Sequence, residues 1–324
     1  MIKGILCAMA AASLVAAAPA ARADDTYPTK PIRFIIDFPA GGVSDILARA
    51  VGARMSETLG QPLVYDNKPG AGGRLAYSLT ANAPADGYTI GFISTPFVLL
   101  PNLSKSLAYD TVNDFVPVGM LARYPNVVLV NATSPIKNLQ EFIANAKAKD
   151  GALNYGSFGV GSSPHLTMEM FRTQADFKGT HVPYPGSPQG ILALMTNEID
   201  VIFGNVPGAM GQIKAGKIKP LAVSGPSRSS VLPDVPTMNE LGLKFDTVGF
   251  AGLVVPKGTP AAIVQKLNNA LGIAVSDSRV AAQIRTVGAD PATPTSSAEF
   301  SKFLLSEIDI WAPVIKRAGG PFQP

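Results

Sequence analysis

The sequence predicts an α/β protein of two domains, each a mainly parallel sheet flanked by helices. Three observations predict it. The 324 residues exceed a typical single domain, and with 47% hydrophobic and 15% charged residues the chain can bury sizeable cores. Apolar runs rich in β-formers alternate with segments of helical periodicity. Two longer apolar stretches, Val116–Val130 and Val248–Val255, are candidates to cross between the domains.

Before the first domain, Met1–Ala23 reads as a secretory signal peptide. Lys3 supplies the positive start, Ile5–Ala18 the apolar region, and Ala21-Arg22-Ala23 the small-residue site, with cleavage predicted after Ala23. The mature chain is expected to be soluble and exported. The sole cysteine, Cys7, lies inside this peptide, so the mature chain has no disulfide, thiolate metal site or cysteine nucleophile. Losing Lys3 and Arg22 lowers the formal charge from +4 to +2. No cluster of Lys and Arg marks a nucleic-acid surface, and we expect a monomer.

The first strand and its successor set the pattern. Arg33–Phe38 is β-rich, whereas Val43, Ile46, Leu47, Ala50, Val51 and Met55 recur at helical spacing. Between them Phe38-Pro39-Ala40-Gly41-Gly42 is a tight turn, with Ser44 or Asp45 as the expected cap. Unpaired N–H groups would converge there and attract an anion. Next come a helix end at Gly60, a short strand Leu63–Tyr65, a second glycine-rich break at Asn67–Gly73, a helix through Ala83, and a strand Tyr88–Ile93. Ser94-Thr95-Pro96 follows the carboxyl end of that strand, where open α/β sheets bind ligands.

The second half echoes the first. After a helix Asn138–Ala148, the strand Leu153–Phe158 meets the turn Gly159-Val160-Gly161. A helix then opens at Ser162-Ser163-Pro164-His165, with Ser163 the predicted cap and Pro164 the first helical residue. Two anion-ready helix starts in separate halves suggest a cleft gripping both ends of a small anion. A strand His181–Tyr184, a helix Pro188–Asn197, a strand Asp200–Phe203 ending at Gly204-Asn205, a helix Pro207–Ala215 and a strand Pro220–Ser224 complete this half.

A proline-rich loop, Ser224–Pro236, leads back to Val248–Val255. Thr259-Pro260 starts a helix through Ala274, and Ser278 starts a shorter one ending near Gly288. Ser296 and Glu299 form a capping box for a last helix. Its stripe of Phe300, Leu304, Ile308, Trp311 and Ile315 is core, and Pro313 is expected to kink it.

Catalytic and cofactor signatures are broken. Gly211–Lys217 matches most of a phosphate loop, but Ile218 stands where Ser or Thr must bind Mg²⁺. Gly159-Val160-Gly161 lacks the third glycine of a dinucleotide fingerprint, and no G-x-S-x-G elbow occurs. His165 and His181 lack metal-site spacing, so no metal or cofactor is expected. A serine esterase using His165 is the enzymatic alternative, since triads assemble in space.

Read in order, FPAGG-x-x-D-x-x-A-R (Phe38–Arg49), NKPGAGG (Asn67–Gly73), DGYT (Asp86–Thr89), LNYGS-x-G-x-G-S-x-x-HL (Leu153–Leu166), HVPY-x-GS (His181–Ser187), IKAGK (Ile213–Lys217), LPDVPT (Leu232–Thr237) and GTP (Gly258–Pro260) resemble the periplasmic solute receptors of tripartite tricarboxylate transporters, the Bug family. The resemblance covers essentially the whole mature chain. It implies a type II periplasmic-binding-protein fold, with residues 24–124 plus 247–324 as one domain, 125–246 as the other, and two strands crossing between them. It implies no catalysis, a small di- or aromatic carboxylate as ligand, and delivery to membrane transporter subunits. A sensory role would use the same closed form.

Carried over by position, the ligand site would use Phe38, Pro39, Ala40, Gly41, Gly42, Asp45, Ser94 and Thr95 in the first domain. The second would supply Ser157, Gly159, Gly161, Ser162, Ser163, His165 and Asn205. Three departures bear on the ligand. Asp37 stands where proline is common and is expected to face away or to contact the other domain. Phe203-Gly204-Asn205 lacks an acidic residue, and Phe250-Ala251 replaces an aromatic pair. These suggest a carboxylate without an amino group, stacked near Phe97 or Phe250.

Overall fold

A computed structural model describes residues 26–321 except 161, 185, 246 and 318. The expected signal peptide, Gly161 and the last residues lie outside the described residues. The first half runs β1 (Ile32–Ile36), α1 (Val43–Leu59), β2 (Leu63–Asn67), a 3-10 turn (Ala71–Gly73), α2 (Arg74–Ala81), β3 (Thr89–Ser94) and α3 (Pro96–Leu103). Then comes β4 (Phe115–Asn131), seventeen residues long.

The second half runs α4 (Leu139–Ala148), β5 (Asn154–Ser157), α5 (Ser163–Ala175), β6 (Thr180–Pro183), α6 (Ser187–Met195), β7 (Val201–Asn205), α7 (Val206–Lys214) and β8 (Ile218–Val223). The chain returns through β9 (Val248–Pro256) to α8 (Ala261–Ser276), α9 (Ser278–Thr286), β10 (Asp290–Pro291) and α10 (Ser297–Arg317).

The strands form one path, β2-β1-β3-β9-β4-β7-β5-β6, with β8 and β10 also on β4. In the first lobe β2, β1 and β3 are parallel, and in the second β6, β5 and β7 are parallel. The long strand β4 joins them. Its first part pairs antiparallel with β9 as far as Pro125, opposite Val248, and from Asn126, opposite Asn205, it pairs with β7 and β8. One strand therefore belongs to both sheets, changing partners between Pro125 and Asn126.

Two cores flank each sheet. In the first lobe Phe34, Phe92, Leu47 and Val51 pack with Leu267 and Leu271 of α8, while Phe97, Phe250, Phe300 and Trp311 fill the other face under α10. In the second lobe Phe142, Phe171, Phe203 and Phe245 occupy one face, and Val127, Ile191, Ile202 and Ala209 the other. Trp311 is 1% exposed, as its stripe requires, and its Nε1–H donates to Glu307.

Most predicted elements form, and the departures have local causes. The capping box is present: Glu299 N–H donates to Ser296 Oγ at 3.2 Å while Glu299 Oε2 accepts from Ser296 N–H at 2.8 Å. The helix α10 runs through Pro313 to Arg317, so the proline does not end it. Helix α3 has no signal in the sequence, because Phe97–Leu100 is uniformly apolar and shows no helical period. At the broken phosphate loop, Gly211–Lys214 is helical and Gly216 takes φ 64°, finishing α7.

Close packing at the crossing makes a specific demand for glycine. A Cβ at Gly252 of β9 would lie 2.2 Å from Phe300 Cζ and 2.9 Å from the carbonyl oxygen of Gly119 on β4. Gly252→Ala is expected to lower stability by about 1–3 kcal/mol, the usual cost of overpacking. Urea unfolding measures this, and an unchanged midpoint would contradict the packing described.

Candidate functional site

Each of the six parallel strands ends at the same crevice and hands over to a helix or short turn. β1 leads through Phe38–Gly42 to α1, β2 through Ala71 and Gly72 to α2, and β3 through Ser94 and Thr95 to α3. From the other lobe β5 leads through Phe158–Ser162 to α5, β6 through Gly186 to α6, and β7 through Asn205 to α7. Residues from all six junctions line one cleft of about 1030 Å³. That lies at the upper end of the roughly 300–1,000 Å³ common for small-molecule sites, as an open cleft should.

At α1 the backbone is arranged differently from the expected cap. Gly42 is the N-cap and makes no side-chain bond. Asp45 instead turns back, its Oδ2 accepting from Gly41 N–H at 2.9 Å and from Arg49 Nε at 2.9 Å, and its Oδ1 from Asn67 Nδ2 at 3.1 Å. Burial alone would raise its pKa, but these bonds outweigh it and hold the carboxyl below its usual range. Asp45 is 4% exposed and does not line the cleft: it braces the turn. The first intrahelical bond runs from Ile46 N–H to Gly42 O at 3.0 Å, so the amides of Val43, Ser44 and Asp45 precede the helical ladder.

At α5 the cap is Ser162, not Ser163. Its Oγ accepts from His165 N–H at 3.4 Å and donates to Gly159 O at 2.7 Å, which commits the hydroxyl to its own loop. Ser163 Oγ accepts from Asn126 Nδ2 at 3.3 Å, which leaves its proton for the cleft. Asn205 Oδ1 caps α7 by accepting from Gly208 N–H at 2.9 Å, and its amide nitrogen has no partner among the described residues. A Cβ on Gly208 would lie 2.6 Å from Asn205 Oδ1 and 3.0 Å from Ser187 Oγ, so the starts of α6 and α7 abut.

The structure brings Phe38, Pro39, Ala40, Gly41, Gly42, Ser94, Thr95, Gly159, Ser162, Ser163 and Asn205 to the cleft wall. It places Ser157 and His165 behind it. Ser157 is fully buried, with Oγ 2.6 Å from His181 Nε2, and His165 is 5% exposed with its ring stacked 4.0 Å from that of His181. Burial, then the neighbouring His181, pushes the His165 pKa down to about 4, so the ring is neutral at pH 7 and offers an anion no charge. The contact between Ser157 and His181 thus lies outside the cleft wall.

Stacking at Phe97 or Phe250 is overturned. Both rings are buried: Phe97 lies edge-on to Tyr77 and Phe115, at 5.2 and 5.1 Å, and Phe250 edge-on to Phe303 at 5.1 Å. The aromatic side chains on the wall are Phe38, Phe92, Tyr124 and Phe158. Tyr124 and Asn126 flank the point where β4 changes lobes, so the crossing strand also forms the floor. Ser187, Gln189 and Arg74 join the wall as well. The glycine breaks before α2 and α6 are the sequence signal for them.

Asp37 faces away from the cleft, into the first lobe. Its Oδ2 accepts from Ser94 Oγ–H at 2.6 Å and Tyr77 Oη–H at 2.8 Å, while Oδ1 is buried without a partner. Burial pushes its pKa up to about 6, against the downward pull of Ser94 and Tyr77. Because Ser94 gives its proton to Asp37, its Oγ turns only lone pairs toward other neighbours. Among the described residues no cluster of three or more His, Cys, Asp or Glu could hold a metal ion, and no helix is long and apolar enough to cross a membrane.

Residues 47–319 match the family model "Tripartite tricarboxylate transporter family receptor". The chain is 33% identical to Protein BugT of Bordetella pertussis over 92% of each chain. Among solved structures, Rpa4515 of R. palustris with adipate superposes with a TM-score of 0.84 at 32% identity, covering 90% of this chain and 98% of that one. The periplasmic binding protein BugD gives 0.81 at 29% identity over 90% and 99%. MatC of Rhodopseudomonas palustris with bound malate gives 0.78 at 31% over 89% and 99%. The α/β architecture is that of periplasmic binding proteins.

The Asp37 carboxyl makes a pH prediction. Its native pKa of about 6 lies above the 3.8 of the free side chain, so the native state holds the proton more tightly than the unfolded chain. Its contribution to stability is full below about pH 4 and is lost as pH rises through 6. The stability of Asp37→Asn relative to the unsubstituted protein should therefore rise by about 3 kcal/mol between about pH 4 and 7. Urea unfolding across that range tests it, and a difference independent of pH would refute it.

Proposed function

Because the chain belongs to the tripartite tricarboxylate transporter receptor family, whose members are solute-binding receptors and not enzymes, we propose that it captures a small carboxylate between its lobes and delivers it to a membrane transporter. The observation that carries this reading is the convergence of six strand-to-helix junctions, three from each lobe, on one cleft. Helix starts offer unpaired N–H groups and a positive dipole end, which suit a carboxylate. The relatives with adipate and malate support a carboxylate as the ligand here.

In this reading the lobes, residues 24–124 plus 247–324 and residues 125–246, close about the two crossing strands. One carboxylate would accept from the first-turn amides of α1 and from Ser163 and Asn205 across the cleft. Such bonds are charge-assisted and gain strength as closure expels water. A ligand touching both lobes binds the closed form better and shifts the population toward it. The carbon skeleton, aliphatic or aromatic, would lie against Phe38, Tyr124 and Phe158. Residues 1–23 would direct export and be removed by cleavage after Ala23.

A thermal-unfolding panel of mono-, di- and tricarboxylates tests this. A binding carboxylate at 100 times its Kd should add about 2.7 kcal/mol of stability. Gly41 is exposed, with φ 77° and nothing within 4 Å of where a Cβ would stand, so Gly41→Val should distort the anion turn without disturbing a core. Loss of the carboxylate shift in this variant, with its unliganded midpoint within a few degrees of the parent, is the expected outcome. A panel in which only neutral or cationic solutes shift the transition would exclude the proposal.

A further inference from the structure

Arg74 is the one cationic side chain on the cleft wall among the described residues, and no Asp or Glu lines that wall. It is half-buried at the first residue of α2, next to Ala71 and Gly72 and on the same lobe as Leu100 and Leu103, which also face the cleft. Its Nε is buried with no hydrogen-bond partner, and no described carboxylate pairs with its guanidinium. Four other arginines are paired: Arg33 holds Asp66, Arg49 holds Asp45, Arg172 holds Glu169 and Arg228 holds Glu240.

Two acids of the same lobe have other partners. Asp37 already accepts from Ser94 and Tyr77, and Asp110 from the amides of Val112 and Asn113. The aromatic group facing Arg74 is Tyr109, whose hydroxyl is likewise buried without a partner and can give the guanidinium no charge at neutral pH. A half-buried, fork-shaped donor on the wall of an otherwise uncharged cleft matches an external planar anion.

Resting on the carboxylate reading above, we propose that Arg74 binds a second anionic group of the ligand, so that the receptor selects dicarboxylates over monocarboxylates. One carboxylate occupies the helix starts, as already described. The other meets the guanidinium, and the methylenes between them pass the apolar side chains of Leu100 and Leu103. The helix starts supply only partial charges, whereas Arg74 supplies a full one. Preference for a second charge therefore resides at this residue.

Calorimetric titration with chain-matched pairs tests this: succinate against butyrate, glutarate against valerate, adipate against hexanoate, all at pH 7.5 and fixed ionic strength. The unsubstituted mature chain should bind at least one diacid about tenfold or more tighter than its monoacid partner. Arg74→Gln should reduce that ratio to about threefold or less while monoacid affinity is retained, and Arg74→Lys should restore part of it. The urea midpoints of both variants, without ligand, check that they fold. A diacid preference that survives in Arg74→Gln, or an equal loss for both members of a pair, overturns the assignment to a second carboxylate. Failure of all six acids to bind the unsubstituted chain would instead remove the carboxylate reading on which the assignment rests.

Discussion

The amide groups in the first turn of a helix have no carbonyl within the helix to pair with, and something outside must satisfy them. Here six such helix starts face one crevice, because each follows a parallel strand and parallel strands end at the same edge of a sheet. Some of the need is met internally, by Ser162 on His165 and Asn205 on Gly208. Asp45, by turning back on Gly41 ahead of α1, holds that turn in shape.

The same crevice is where the two lobes meet. Each sheet has its own pair of cores, β4 alone pairs in both, and Leu166 of α5 joins the first-lobe core under α10. Tyr124, Pro125 and Asn126 stand where β4 changes partners, and Tyr124 and Asn126 also floor the cleft. On the proposed reading, a ligand on that floor would touch the crossing strand as well as both walls, and direct contact would link binding to closure.

Much of this is legible in the sequence because it rests on period and punctuation. The switch from β-rich Arg33–Phe38 to helical spacing after Gly41-Gly42 locates one wall, and Ser162-Ser163-Pro164 locates the other. The strand β4 that enters both sheets is legible as an apolar stretch longer than one sheet needs. Helix α3 is not, since uniform apolarity around Phe97–Leu100 hides any period. Residue roles are the least legible. Whether Ser157 or Ser163 faces a ligand depends on which hydroxyl a tertiary neighbour has engaged, His181 for the one and Asn126 for the other. Phe97 and Phe250 suggest ligand platforms in the sequence, but aromatic neighbours distant along the chain enclose them. The glycine break before α2 marks the place of Arg74, but only the fold reveals that its Nε is buried without a partner on the cleft wall.

Closure of the lobes around an anion is the central claim, and the chain suits a direct measurement because its sole cysteine is Cys7. Val64 on β2 and Leu192 on α6 are exposed residues of opposite lobes, 53% and 55% accessible. Spin labels on Val64→Cys and Leu192→Cys in the mature chain report the separation of the lobes by pulsed electron resonance. Saturation with the tightest-binding carboxylate should replace a broad distance distribution with a shorter, narrower one. A distribution unchanged by a ligand that calorimetry shows to be bound would contradict the account.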